Sequence, residues 1–225
     1  LLGDYRGFER RGWLRPVAMP GGDRASREPW RNALAQLDAA RMGHLADEMF
    51  GAQPLALLRQ AVRAGVNAPL TSSAGRLFDA FAAVLGFAGA QSFEGEAAMA
   101  LEARAVLGDV GAYPLGGVEG VIETAPLWQA WAQDRAAGVA PEVMAARFHA
   151  GVAQGFARRA RALVEAGEAQ AVALSGGCFQ NVRLLELTLE ALGDLPVLIH
   201  RRTPANDGGL ALGQAVVAAA RAVSG

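Results

Sequence analysis

AQAVALSGGCFQNVRLLELTLEALGDLPVLIH, residues 169–200, opens on a short apolar run, Ala169 to Leu174, that stops at Ser175-Gly176-Gly177. A helix is expected from Asn181 to Leu192 and a second strand from Pro196 to His200. Strand, glycine turn, helix and strand in that order make a parallel α/β unit. Just beyond, Asn206-Asp207-Gly208-Gly209 opens a final helix expected from about Leu210 to Val223.

Ligands of an α/β unit gather at the carboxyl ends of its strands, where the chain turns into helix N-termini with free N–H groups. Ser175-Gly176-Gly177 occupies that place. Two glycines let the backbone approach an anion closely, and the amides with the helix dipole favour phosphate by about 0.3–2 kcal/mol. Turns also use Ser and Gly for conformation alone, so the motif by itself admits both readings. Asn206-Asp207-Gly208-Gly209 reads as a plain N-cap, or as a carboxylate beside a phosphate loop, where oxygen ligands hold a divalent cation.

Upstream, Trp13 to Met19 alternates and suggests a short strand ending at the turn Pro20-Gly21-Gly22. From Pro29 to Ala40, Trp30, Ala33, Leu34 and Leu37 fall on one helical stripe. Gln53 to Ala64 repeats the pattern with Leu55, Leu57, Leu58 and Val62, and Gly65 sits where a C-terminal cap belongs. Ser72 and Ser73 precede a third run through Leu77, Phe78, Phe81, Val84 and Leu85, closed by Gly86. Glu94 to Leu107 reads as helix, Gly108 to Glu123 as short strands or loops, Pro126 to Trp131 as a short helix, and Pro141 to Gly167 as a long one with proline in its first turn.

Other residues bear on chemistry. Asp79 lies next to Phe78 and near Phe81: it is either buried with a hydrogen-bonding partner, which a ribose diol would suit, or on the wet side of an amphipathic helix. The Arg-rich stretch from Gly21 to Arg31 offers cations for an anion or forms a solvated face with an internal Glu–Arg pair. His44, His149 and His200 show no HxxxH or HExxH spacing and read as satisfied structural histidines. Cys178 follows the glycine loop but has no histidine beside it, so packing is favoured over nucleophilic catalysis.

The chain's 225 residues suffice for one large domain or two small lobes burying roughly 70% of the unfolded surface. An apolar fraction of 52% with 19% charged residues is that of a globular protein, not a disordered one. Twenty-one basic residues against 22 acidic ones leave no overall field to gather nucleic acid or an anionic membrane. One cysteine excludes an internal disulfide and fits a reducing cytoplasm. No apolar run reaches the roughly 20 residues of a membrane-spanning helix. The opening Leu1-Leu2-Gly3-Asp4-Tyr5 reads as mid-domain sequence, so an excised piece is expected.

Five segments carry a resemblance: GGDRASREPWRNAL (21–34), TSSAGRLFDAFAAVLGF (71–87), SFEGEAAMALE (92–102), VALSGGCFQN (172–181) and PANDGGLALGQAVVA (204–218). In this order they resemble the signature segments of the HypF carbamoyltransferase family, and GDYRGFERRGWLRPVAMPGGD (3–23) looks like the segment entering its helical region. The resemblance implies an α/β, actin-like ATPase (ASKHA, ribonuclease H-like) lobe with a large helical insertion, similar to TsaD. Residues 1–22 would end a first lobe, 23–167 would be mainly helical, and 168–225 would be the nucleotide-binding α/β unit.

The resemblance further implies ATP-linked carbamoyl transfer in the cytoplasm, from a carbamoyl adenylate derived from carbamoyl phosphate to the C-terminal cysteine of HypE, toward the cyanide ligand of [NiFe]-hydrogenase. Ser175, Gly176 and Gly177 would lie at the phosphates, Asn181 close to the nucleotide, and Asp79 at the ribose hydroxyls. Gly75 and the Glu94-Gly95-Glu96 turn would line the pocket. Asp207 would be one ligand of a divalent metal, Fe, Zn or Mg, whose paired histidines and further aspartate lie outside this fragment. Position 178 departs from the family pattern, which usually carries Val. Alternatives are TsaD-like threonylcarbamoyl transfer to tRNA, against which the charge balance speaks, a small-molecule O-carbamoyltransferase, and a non-enzymatic helical docking piece.

Overall fold

The chain begins with an antiparallel hairpin of β1 (Leu2–Gly3) and β2 (Phe8–Glu9) in a computed structural model that describes residues 1–118 and 120–223. Residues 13–19 do not make the single strand their alternation suggests. Pro16 has no N–H to give a ladder, and the chain changes partner there. β3 (Trp13–Leu14) pairs in parallel with a strand at Val121–Ile122, whereas β4 (Val17–Ala18) pairs antiparallel with one at Leu70–Thr71.

Helices follow: α1 (Arg24–Arg27), α2 (Pro29–Ala39), α3 (Gly43–Phe50) and α4 (Leu55–Arg63), then β5 (Leu70–Thr71), α5 (Ala74–Val84) and α6 (Glu96–Arg104). β6 (Val121–Ile122) leads into α7 (Ala125–Ala136), longer than the expected Pro126–Trp131 piece, and α8 (Pro141–Glu165). Gly65 (φ +66°) and Gly86 (φ +103°) end α4 and α5 as the sequence suggests. In each case the glycine N–H and the next one fold back onto helix carbonyls, Val62 and Ala61 for α4, Ala83 and Ala82 for α5.

α5 is apolar nearly all round, and a helix of that kind belongs inside a core. From Arg76 to Val84 every residue is buried. Phe81 stacks on Phe148 of α8 with centroids 4.2 Å apart, Phe78 meets the same ring edge-on at 4.9 Å, and Trp128 and Trp131 of α7 close the far side. Each such ring stabilises the fold by about 1.5–3 kcal/mol through burial, and each pair adds about 0.5–1.5 kcal/mol.

The last third is the expected α/β unit. β7 (Val172–Leu174) and β8 (Val197–Ile199) pair in parallel, with α9 (Val182–Leu192) as the crossover. Ala157 of α8, Leu174 and Leu192 form a small second core. A 3-10 turn at Asp207–Gly209 then starts α10 (Leu210–Val223), which contributes no buried residue; Leu210, Leu212, Leu198 and Ile199 are exposed.

Candidate functional site

β7 ends at Leu174, so Ser175-Gly176-Gly177 stands at the carboxyl end of a parallel strand. Gly176 has φ +105°, a conformation that side chains disfavour. Its N–H donates to the carbonyl of Ala205 at 2.8 Å, which ties this loop to the one carrying Asn206 and Asp207. A second tie runs between the Ser175 hydroxyl and His200 Nε2, 3.0 Å apart, with His200 Nδ1 3.2 Å from the Thr203 hydroxyl. The two glycine loops are therefore one structure at the ends of adjacent strands.

Gly177 begins a 3-10 turn, Gly177–Gln180, that packs against α5. Ala74, Ser175, Gly176, Gly177, Cys178 and Phe179 are among the residues around a largely apolar cavity of about 430 Å³. The amides at the start of α9, the natural phosphate donors in the sequence reading, are already taken. Asn181 Oδ1 accepts from the Leu184 N–H at 2.7 Å, and Glu102 of α6 accepts from those of Val182 and Arg183 at 2.7 and 3.2 Å. An anion at this loop would have to use the amides of the glycine turn itself.

Asp79 is buried, 1% exposed, which removes the wet-face reading. Its Oδ1 accepts from Gln91 Nε2 at 3.4 Å, and Arg76 Nη1 lies 3.0 Å from its Oδ2. That ion-pair contact does not have hydrogen-bond geometry, so buried Oδ2 and Nη1 both lack a hydrogen-bond partner. Burial pushes the Asp79 carboxyl up to about 6; Arg76 and Gln91 pull it down, while Glu94 adds to the rise. The Cys178 thiol is also pushed up by burial, and it feels both Arg76 and Asp79, which places this pair beside the 3-10 turn.

The other expected residues divide. Gly75 lies in the first turn of α5, and Gly95 (φ +86°) caps α6. Glu96 turns back to accept from the Ser92 N–H, and it is Glu94 that approaches Arg76, at 3.7 Å. Asn181 has little left for a ligand, since its amide also donates to His149 Nε2 at 3.0 Å. Asp207 is exposed, and among the described residues no group of three or more His, Cys, Asp or Glu gathers to hold a metal. The sequence reading missed Arg76 and Glu102, and it took His200 for a satisfied structural histidine without its tie to Ser175. Arg76 was findable as the i−3 neighbour of Asp79, and His200 by following β8 as Ser175 follows β7; Glu102 gave no signal.

No helix among the described residues is long and apolar enough to cross a membrane. Residues 1–214 match the family described as carbamoyltransferase, Kae1-like domain, second subdomain. The chain is 57% identical to carbamoyltransferase HypF of Rhodobacter capsulatus over 98% of its length, and 41% identical to that of Rhizobium leguminosarum bv. viciae over 94%. It spans 29% and 28% of those relatives. Full-length HypF in a phosphate- and nucleotide-bound form superposes with a TM-score of 0.89 at 29% identity, covering 96% of this chain and 29% of that one. HypF of T. kodakarensis gives 0.83 at 26% identity, with 95% and 30% covered.

Proposed function

This chain belongs to the HypF carbamoyltransferase family, an α/β Kae1-like fold, and from that premise we propose that it forms the nucleotide-holding half of a carbamoyl-transfer centre serving hydrogenase maturation. The substrate is a carbamoyl adenylate made from carbamoyl phosphate and ATP. A thiolate at the C-terminus of HypE attacks its carbonyl carbon, the bond to the phosphate oxygen breaks, and AMP leaves. We place the reaction in the cytoplasm, in keeping with a single free cysteine.

The observation that carries this reading is Asp79 Oδ2, buried beside the glycine turn and ion-paired with Arg76 at 3.0 Å but without a hydrogen-bond donor. A buried acceptor without a donor costs about 1–3 kcal/mol, more when charged. A ribose hydroxyl supplies that donor once Arg76 swings aside. The Gly176 N–H is held by the Ala205 carbonyl and its φ of +105° shapes the turn, so the Gly177 amide is the one that faces the phosphates, and Gly75 and Gly95 keep the rim low. Binding here positions the adenylate, and positioning is the larger part of catalysis for an activated acyl group. Residues 1–22, 23–167 and 168–225 act as the end of a first lobe, a helical region and the nucleotide unit, and the apolar outer faces of β8 and α10 are where the rest of the longer protein packs.

A metal does not fit the residues present: Asp207 offers one carboxylate, and among the described residues no group of three or more His, Cys, Asp or Glu forms to complete a site, so no step is routed through a metal. Titration calorimetry with ADP tests the nucleotide site. Binding that disappears in Asp79→Ala and in Gly176→Val supports it. A folded chain that binds no ADP, or variants that bind it unchanged, leaves only the docking role.

A further inference from the structure

α8 and α9 run parallel: His149 meets Asn181 at one end, and Arg161 Nη2 donates to the Leu192 carbonyl at the other. Ala146, Ala150, Gln154, Arg158 and Arg161 recur at spacings of four and three along α8 and so share one face. Alanines at the near end leave a trough between this face and Arg183 and Leu187 of α9, walled on its third side by the turn Gly108–Gly111. The trough encloses about 680 Å³ and shares no lining residue with the cavity beside the glycine loop.

Its cations are in short supply of anions. Arg161 lies 3.5 Å from Glu165 and 3.7 Å from Asp194. The guanidinium groups of Arg158 and Arg183 have no acidic partner among the described residues; they reach only the carbonyls of Leu115, at 3.0 Å, and Gly108, at 3.4 Å. Arg183 Nε is buried with no acceptor at all, and a buried guanidinium N–H is costly to leave unmade. Of the acids on the wall, Asp109 accepts from the Gly111 N–H in its own turn and Glu190 is exposed.

We propose that this trough is a second anion site, in which Arg183 and Arg158 together bind a carboxylate or phosphate group. The planar guanidinium offers two parallel N–H groups to such an anion, and Nε–H is one of the pair that makes the two-pronged contact. The site stands independently of the nucleotide reading, because it shares no residue with it.

The test uses the full chain labelled with ¹⁵N, titrated separately with inorganic phosphate and with glutarate, while the Nε–H resonance of Arg183 is followed. A saturable shift is expected with at least one of them, and which one responds tells phosphate from carboxylate. Calorimetry should show the affinity falling about tenfold or more in Arg183→Gln and in Arg158→Gln, the loss of a charge-assisted contact, and unchanged in Arg63→Gln, the same charge removed from an exposed arginine that lines neither cavity. Arg158 is exposed, so its substitution leaves folding intact, as circular dichroism will show. No saturable shift with either anion, binding by both trough-arginine variants as tight as that of the unaltered chain, or an equal loss of binding on Arg63→Gln overturns the proposal.

Discussion

His149 Nε2 lies 3.0 Å from the amide nitrogen of Asn181, and this contact sets the tautomer of one residue and the orientation of the other. His149 is fully buried, and its Nδ1 lies 2.8 Å from the Ala145 carbonyl. A carbonyl can only accept, so Nδ1 carries the hydrogen and Nε2 presents a lone pair to the Asn181 N–H. The amide oxygen is thereby left facing the Leu184 N–H, where it caps α9. Asn181→Ala should cost about 2 kcal/mol, a lost cap plus an unpartnered buried nitrogen. His149→Ala should cost about 3 kcal/mol, since it also leaves a cavity. Urea unfolding of both singles and the double should show coupling of about 1 kcal/mol; strict additivity would mean that the contact does not couple them.

The same histidine opposes Asp79 in the pH dependence of stability. Burial pushes His149 down to about 4, helped by Arg183 and resisted by the Ala145 hydrogen bond, while burial pushes Asp79 up to about 6. Unfolded, the two titrate near 6.5 and 3.9. Between about pH 4 and 6 the folded chain holds an Asp79 proton that the unfolded chain releases, so stability falls as pH rises. Across about pH 4 to 6.5 the unfolded chain holds a His149 proton that the folded chain does not, so stability rises with pH. Each contribution is on the order of 3 kcal/mol, and they nearly cancel. Asp79→Asn should therefore unmask a stability that rises from pH 4.5 to 6.5, and His149→Gln one that falls. Identical pH profiles for wild type and Asp79→Asn would contradict the placement of Asp79.

Gly151 gives a prediction whose sign depends on tertiary structure. It sits inside α8, where alanine is favoured over glycine by about 1 kcal/mol. A Cβ there would lie 2.2 Å from the Tyr113 carbonyl oxygen, a backbone atom held by the Tyr113 N–H bond to Arg147. Gly151→Ala should lower the melting temperature by several degrees, whereas Gly138→Ala, with open space around it, pays only for its φ of +68°. A more stable Gly151→Ala would show that the loop yields.

What the sequence disclosed follows the range of the forces involved. The strand, glycine turn and helix of residues 169–192 were legible because each depends on neighbours within a few positions, as do the caps at Ser73, Gly65 and Gly86. α3 escaped notice because only Ala46 and Phe50 of its eight residues are buried, too few to mark a stripe. The burial of Asp79 and the capture of the α9 amides by Glu102 are set by helices that meet from distant parts of the chain, and no local pattern encodes them. His149 did read as a satisfied structural histidine, but its partner 32 positions away did not.

Cys178 separates packing from covalent chemistry at the glycine turn. The thiol is partly buried against the core beside Phe179, and burial pushes its pKa upward despite Arg76 nearby. An ordinary thiol near 8.5 is a few per cent thiolate at pH 7, and this one is less. Reaction with a disulfide reagent at pH 7 should accordingly be at least about tenfold slower than that of a free thiol and should speed up when the chain unfolds. Cys178→Val, close in volume and without a polar atom, should change stability by less than about 1.5 kcal/mol and leave ADP binding intact. If the thiol reacts at the free-thiol rate in folded protein, it lies open to solvent, and its packing against the core beside Phe179 does not hold. If Cys178→Val folds but no longer binds ADP, the sulfur has a role at the site beyond filling space.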